Sequence, residues 1–158
     1  MKEKDTKIEI YTDGAAKGNP GPAGWAAIFV SDDDVREIGG GSPHATNNQM
    51  ELTAAIEALK YLKSSGKKYE LVEIFSDSKY VILGITEWIY NWQKNGWRSA
   101  GKKPVLNREL WEELNHLTDE LKPKWIYVKG HHVSVWNNRA DEVAVSFAEG
   151  NPVKLKGR

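Results

Sequence analysis

The sequence predicts an α/β fold, one mixed five-stranded sheet flanked by helices. Three strand-like runs come first, joined by short turn-rich links, and strands in that order form an antiparallel meander. From residue 46 onward helix-spaced and strand-like segments alternate, which adds parallel strands and covers the faces of the sheet. A length of 158 residues suits a single domain that buries well over half of its unfolded surface.

Lys7-Ile8-Glu9-Ile10 alternates as a half-buried strand does, and the run continues through Thr12-Asp13-Gly14. Gly14 to Pro22 is a turn-rich connection, Ala23 to Val30 a second strand and Val35 to Gly40 a third, with Asp32-Asp33-Asp34 as the turn before it. Thr46 followed by Gln49 has the form of a capping box, and Leu52, Ala55, Ile56, Leu59 and Leu62 repeat behind it at helical spacing, so a helix runs from about Asn47 to Lys63. Val72 to Ser76 is a buried strand. A helical stretch follows that Gly84 interrupts, then another from Thr86 to Lys94, and Leu106 to Leu121 is an amphipathic helix stopped by Pro123. Trp125 to Val128 is the last strand and Asn138 to Glu149 the last helix. Residues 1–6 read as frayed and 150–158 as a disordered tail, so the folded core of the one domain spans about 7–150.

No apolar run approaches the roughly 18 residues of a membrane helix, and no basic-plus-apolar leader opens the chain, so the reading is a cytoplasmic protein. The absence of cysteine excludes disulfides and thiolate metal sites. With 22 basic and 22 acidic residues the formal charge is zero, so any hold on nucleic acid depends on local charge. That charge is concentrated from Trp88 to Arg108, where Lys94, Arg98, Lys102, Lys103 and Arg108 occur without one acid. Trp88 and Trp92, four apart on one helix face, read as packing residues that stiffen this segment.

Asp13, Glu51, Asp77 and Asp141 each fall at a strand end or in a helix turn beside a polar segment. Carboxylate oxygens are hard ligands, and four of them without a thiolate favour Mg²⁺ or Mn²⁺ over zinc. Gly14-Ala15-Ala16-Lys17-Gly18-Asn19-Pro20-Gly21 lacks the Gly-Lys-Ser/Thr ending of a P-loop and precedes a strand, so it is not a nucleotide-binding loop.

Thr12-Asp13-Gly14, Thr46-Asn47-Asn48 with Met50-Glu51, Ser76-Asp77-Ser78, Lys129-Gly130-His131 and Asn137 with Ala140-Asp141 follow one another in an order that resembles the type 1 ribonuclease H family. The resemblance covers residues 7–150. It implies the ribonuclease H-like fold and an endoribonuclease that hydrolyses the RNA strand of RNA–DNA hybrids, leaving 5′-phosphate and 3′-hydroxyl ends. It further implies that Asp13, Glu51, Asp77 and Asp141 hold two Mg²⁺ ions, with Mn²⁺ as a substitute, and that His131 on a neighbouring loop carries protons or assists product release. His132 is a rival for that role, because the family usually has a small residue and then glycine after the histidine, where this chain reads His132-Val133-Ser134-Val135-Trp136. Asn19, Thr46, Asn47 and Asn48 are implied to touch the hybrid, and Lys94, Arg98, Lys102 and Lys103 to grip its backbone. A monomer is implied. The alternatives are a non-catalytic hybrid-binding module and another nuclease on the same fold.

Overall fold

The computed structural model describes residues 5–32, 34–129 and 134–157. Among these, β1 (Asp5–Ala16), β2 (Gly21–Ser31), β3 (Asp34–Ala45), β4 (Tyr69–Ser76) and β5 (Lys124–Tyr127) form one sheet in the order β3-β2-β1-β4-β5. β1, β2 and β3 pair antiparallel, whereas β4 pairs parallel to both β1 and β5, so the sheet is mixed as the sequence predicts.

The helices are α1 (Asn47–Ser65), α2 (Lys79–Leu83), α3 (Ile89–Lys94), α4 (Arg108–Leu121) and α5 (Val135–Ala148). Alternation along β1 sends Ile8 and Ile10 to one face, where they pack with Leu52, Ile56 and Leu59 of α1 and Leu114 of α4. Tyr11 points to the other face and joins Ala26, Ile28 and the α5 residues Ala140, Val143 and Ala144. The sheet therefore separates an α1/α4 layer from an α5 layer.

Thr46 caps α1 through the predicted box: its Oγ1 accepts from Gln49 N at 3.1 Å while Thr46 N donates to Gln49 Oε1 at 2.8 Å. Gly66 ends the helix in the left-handed conformation, at φ 73°, that a glycine adopts without a Cβ clash.

Three expectations are corrected. β3 runs past Gly40 to Ala45 rather than ending there, because the missing Cβ atoms of its glycines make room for rings. A Cβ at Gly40 would sit 2.7 Å from Trp25 Nε1, and one at Gly39 2.6 Å from Phe147 Cε2. Gly84 does not interrupt its helix. The chain passes from α2 to α3 through a π-helical turn, Gly84–Trp88, and a Cβ at Gly84 would collide with the Trp111 indole. The C-terminal segment is no loose tail: Val153 and Leu155 pack into the α5 cluster, and Glu37 N donates to Lys156 O at 2.9 Å. β3 is an edge strand, and this segment satisfies part of its exposed backbone.

Candidate active site

The parallel pairing of β1 and β4 brings the first two acids together. Tyr11 lies opposite Phe75, their rings stacked at 4.6 Å, and two residues further along each chain come Asp13 and Asp77. Gly14 brings the third. A Cβ there would lie 2.5 Å from Glu51 N and from Met50 C, so only glycine lets α1 close on the end of β1 and deliver Glu51. One oxygen from each of Asp13, Glu51 and Asp77 lies within 4.8 Å of the others.

Asp141, on α5, does not enter this tight trio among the described residues, yet it lies near enough to Asp13 for its charge to act on that carboxyl. Asp13 shares its direction along β1 with Tyr11, which faces the α5 layer. The cluster thus straddles the sheet end, with Glu51 arriving from the α1 layer and Asp141 from the α5 layer.

Asp13 and Glu51 are only 8% and 6% exposed, and Glu51 Oε1 is buried without a hydrogen-bond partner. Burial pushes the Asp13 carboxyl up to about 8, reinforced by the charges of Asp77 and Asp141, against which one bond from Gly14 N works at 2.9 Å. Burial likewise pushes Glu51 well above its ordinary value, followed by the charge of Asp13. A buried acceptor with no donor, among carboxyls that resist ionising together, is a site short of positive charge. Hard oxygen ligands at this spacing fit a divalent cation, so Asp13, Glu51 and Asp77 can hold one, with Asp141 at hand.

A groove of about 650 Å³ opens beside the first turn of α1, lined by Asn19, Thr46 and Asn48 on one side and by Lys103, Pro104 and Leu106 on the other. Asn19 Oδ1 accepts from Asn47 N at 2.9 Å, which ties the glycine-rich turn to the helix N-terminus. Lys94, Arg98, Lys102 and Lys103 are exposed on the segment that forms the far wall. Arg98 also braces that segment, donating to Lys102 O at 3.1 Å. Beneath it Trp88, Trp92, Trp97 and Trp111 pack ring against ring, so the tryptophans serve as scaffold. Another cleft, lined by Phe29, Tyr61 and Tyr69, lies at the opposite end of β1 and β4, away from the acids.

A family model described as RNase H matches residues 5–149. The chain belongs to the ribonuclease H family. It is 49% identical over 148 residues to Ribonuclease H of Thermosynechococcus vestitus, covering 93% of this chain and 92% of that one. Against Ribonuclease H of Treponema denticola identity is 48% over 155 residues, covering 90% and 97%. Among solved structures it is similar to LC9-RNase H1, a type 1 RNase H with the type 2 active-site motif, at TM-score 0.77 and 28% identity over 97% of this chain and 76% of that one. It is also similar to LC11-RNase H1 in complex with RNA/DNA hybrid, at TM-score 0.68 and 26% identity, covering 90% and 97%. Membership in the ribonuclease H family makes the chain a hydrolase and a nuclease.

The structure of this ribonuclease H brings Asp13, Glu51 and Asp77 together, leaves Asp141 outside that trio, and lines one groove with Asn19, Thr46 and Asn48. His131 and its rival His132 lie outside the described residues. Sequence reasoning missed Gln49, Tyr80 and Asn107 as groove residues. Gln49 Nε2 donates to Asn107 Oδ1 at 3.3 Å, and Asn107 Nδ2 donates to Tyr80 Oη at 3.1 Å, so a polar chain links the α1 cap to the far wall. Asn107, at φ 62°, has the left-handed conformation that asparagine tolerates, and its side chain crosses the groove instead of capping α4. No motif marks it in the sequence. Among the described residues no helix is long and apolar enough to cross a membrane.

Proposed function

We propose that the chain is an endoribonuclease that hydrolyses the RNA strand of RNA–DNA hybrids, leaving 5′-phosphate and 3′-hydroxyl ends. The observation that carries this reading is the buried, partnerless Glu51 Oε1 within a three-carboxylate cluster next to a groove with Lys103 on its far wall. Asp13, Glu51, Asp77 and Asp141 would hold the divalent cations, Mg²⁺ or Mn²⁺. A pair of such ions supplies activation of the attacking water and stabilisation of the departing 3′ oxygen.

The chain's own residues do the rest. The N-terminus of α1, with the side chains of Asn47 and Asn48, offers a favourable dipole and polar groups to a phosphate of the DNA strand. Asn19 and the glycine-rich turn meet the minor groove, where the 2′-hydroxyl distinguishes RNA. Lys94, Arg98, Lys102 and Lys103 hold the backbone without reading sequence. The family pattern gives His131 the role of carrying protons or assisting product release, to which an imidazole is suited because it titrates near neutral pH. The complex of LC11-RNase H1 with an RNA/DNA hybrid supports the substrate class.

The test is a strand-labelled RNA–DNA hybrid incubated with Mg²⁺ or EDTA, beside RNA–RNA and DNA–DNA duplexes of the same sequence. The expected result is Mg²⁺-dependent loss of the hybrid's RNA strand alone. Tight hybrid binding without cleavage in either Mg²⁺ or Mn²⁺ would instead make the chain a binding module.

A further inference from the structure

We propose that the ion pair between Glu37 and Arg139, clasped by the C-terminal segment, is the positioning device that sets Asp141 against the other three acids. The inference rests on the reading of those acids as a cation site.

Glu37 lies on the edge strand β3 and is 0% exposed, and its carboxylate pairs with Arg139. Both of its carboxylate oxygens are engaged. Oε2 accepts from Arg139 Nε at 2.7 Å, and Oε1 accepts from Arg139 Nη2 and from Lys156 N, both at 2.9 Å. Arg139 in turn donates from Nη2 to Lys154 O at 2.9 Å and from Nη1 to Glu142 Oε1 at 2.8 Å. The guanidinium is thus spent as a two-pronged fork on one carboxylate, a geometry that fixes direction as well as distance.

Direction matters because of where Arg139 sits on α5. Ala140 is buried against the sheet, with Arg139 one residue before it and Asp141 one residue after. Neighbouring residues on a helix differ by about 100° around the axis, so Arg139 and Asp141 flank the sheet-facing line on opposite sides. The sheet order runs β3-β2-β1, so Arg139 reaches outward to Glu37 on β3 while Asp141 reaches inward to Asp13 on β1. Packing of small residues fixes the height of α5: a Cβ at Gly24 would collide with Ala144 O. What the fork adds is a restraint on roll about the helix axis. At a side-chain radius of about 5–6 Å, a roll of about 10° moves a carboxylate by about 1 Å. Cation coordination tolerates about 0.2 Å.

Asp141 is the one acid of the four carried by α5, and it stands outside the tight trio. The trio is held by β1, β4 and α1, so roll of α5 changes Asp141 alone. A buried ion pair is an expensive way to stabilise a fold, since apolar residues of the same volume do as well or better. Its directional hold on α5 accounts for its presence here.

The experiment compares the full chain with Glu37→Gln, Arg139→Lys, the pair Glu37→Met with Arg139→Met, Asp141→Asn, and Glu37→Gln combined with Asp141→Asn. Folding is checked by near-ultraviolet circular dichroism, Mn²⁺ binding by calorimetry without substrate, and cleavage of a labelled hybrid as a function of Mg²⁺. If the wild-type chain neither binds Mn²⁺ nor cleaves, the cation-site reading fails, whatever the variants do. With that reading intact, Glu37→Gln and the methionine pair should weaken Mn²⁺ binding and raise the Mg²⁺ requirement about tenfold, leaving KM for the hybrid within about twofold. Arg139→Lys, which keeps the charge and loses the fork, should move in the same direction. In the Asp141→Asn background the effect of Glu37→Gln on Mn²⁺ affinity should vanish. Folded variants with wild-type metal affinity, or an undiminished effect in that background, would overturn the proposal. If Glu37→Gln does not fold, the methionine pair and Arg139→Lys decide the matter through the same Mn²⁺ titration.

Discussion

Glu37 and Glu51 are both buried carboxylates, one at each flank of the α1/α5 sandwich, and they are solved in opposite ways. Glu37 has both oxygens engaged by Arg139 and Lys156, and these partners outweigh burial to hold it below the usual carboxylate range. Glu51 has an oxygen with no donor at all and further acids for neighbours, so burial and Asp13 drive it the other way. Burial alone does not mark a functional acid. Burial with the hydrogen-bonding capacity left unfilled does, because folding has then kept a cost that only a ligand from outside removes.

The largest effect separates the flanks by activity. Asp77→Asn removes one carboxylate of the trio and should reduce Mg²⁺-dependent hybrid cleavage by more than about 100-fold, beyond the usual effect of disturbing a ligand's supporting neighbour. The chain should still fold, and a circular dichroism spectrum beside the rate would show both. A near-normal rate would break the assignment. Stability separates the flanks with the reverse sense. Glu37→Gln leaves Arg139 with only the exposed Glu142 as its anion and should cost about 3 kcal/mol, the low end for a broken buried pair because Arg139 keeps some solvent exposure. Glu51→Gln replaces a carboxyl that burial already holds toward its neutral form and whose ionisation nothing offsets, so in EDTA it should cost less than about 1 kcal/mol or stabilise the fold. Urea unfolding of both variants in EDTA tests the contrast, and equal losses would erase it.

Acidity separates them more gently. Asp13 titrates near 3.8 when unfolded and about 8 when folded, so its neutral form contributes stability that is complete below about pH 4 and lost as pH rises through about 8. Glu37 is depressed on folding, so its contribution is complete above the ordinary carboxylate range and lost as pH falls through its lowered value. Melting temperatures in EDTA should therefore decline toward pH 9, Asp13→Asn should flatten that decline, and Mg²⁺ should restore most at the alkaline end. A metal-free protein equally stable at pH 6 and pH 9 would contradict the first half.

How much of this was legible before the structure differs by element. The five strands, the long α1 with its capping box and the mixed sheet follow from periodicity and turn residues, because those patterns are local. The four acids were legible as words, and the resemblance supplied their grouping; the role of Gly14 in admitting Glu51 needed the packing of α1 on β1. Glu37 gave no signal, since a lone glutamate in a weak strand looks like a solvated edge until Arg139, about a hundred residues later, is seen to reach it. The terminal segment was misread for the same reason: glycine, proline and lysine suggest a tail, and its anchors lie on β3 and α5. Asn107 crosses a groove whose two walls are far apart in sequence, so nothing nearby announces it.

The mildest prediction extends the contrast from anions to cations. Arg139 is tied to Glu37, whereas Lys102 and Lys103 stand on a segment that carries no acid from Trp88 to Arg108. A cation already paired inside the protein cannot release counterions from a nucleic acid, and an exposed one can. Replacing both lysines with alanine should therefore raise KM for the hybrid, leave kcat within about twofold, and flatten the dependence of log affinity on log salt by about one unit for each phosphate no longer neutralised. Arg139→Lys should leave that slope unchanged. Filter binding across a salt series in EDTA measures the slope without cleavage, and an unaltered slope in the lysine variant would move the grip on the backbone away from this segment.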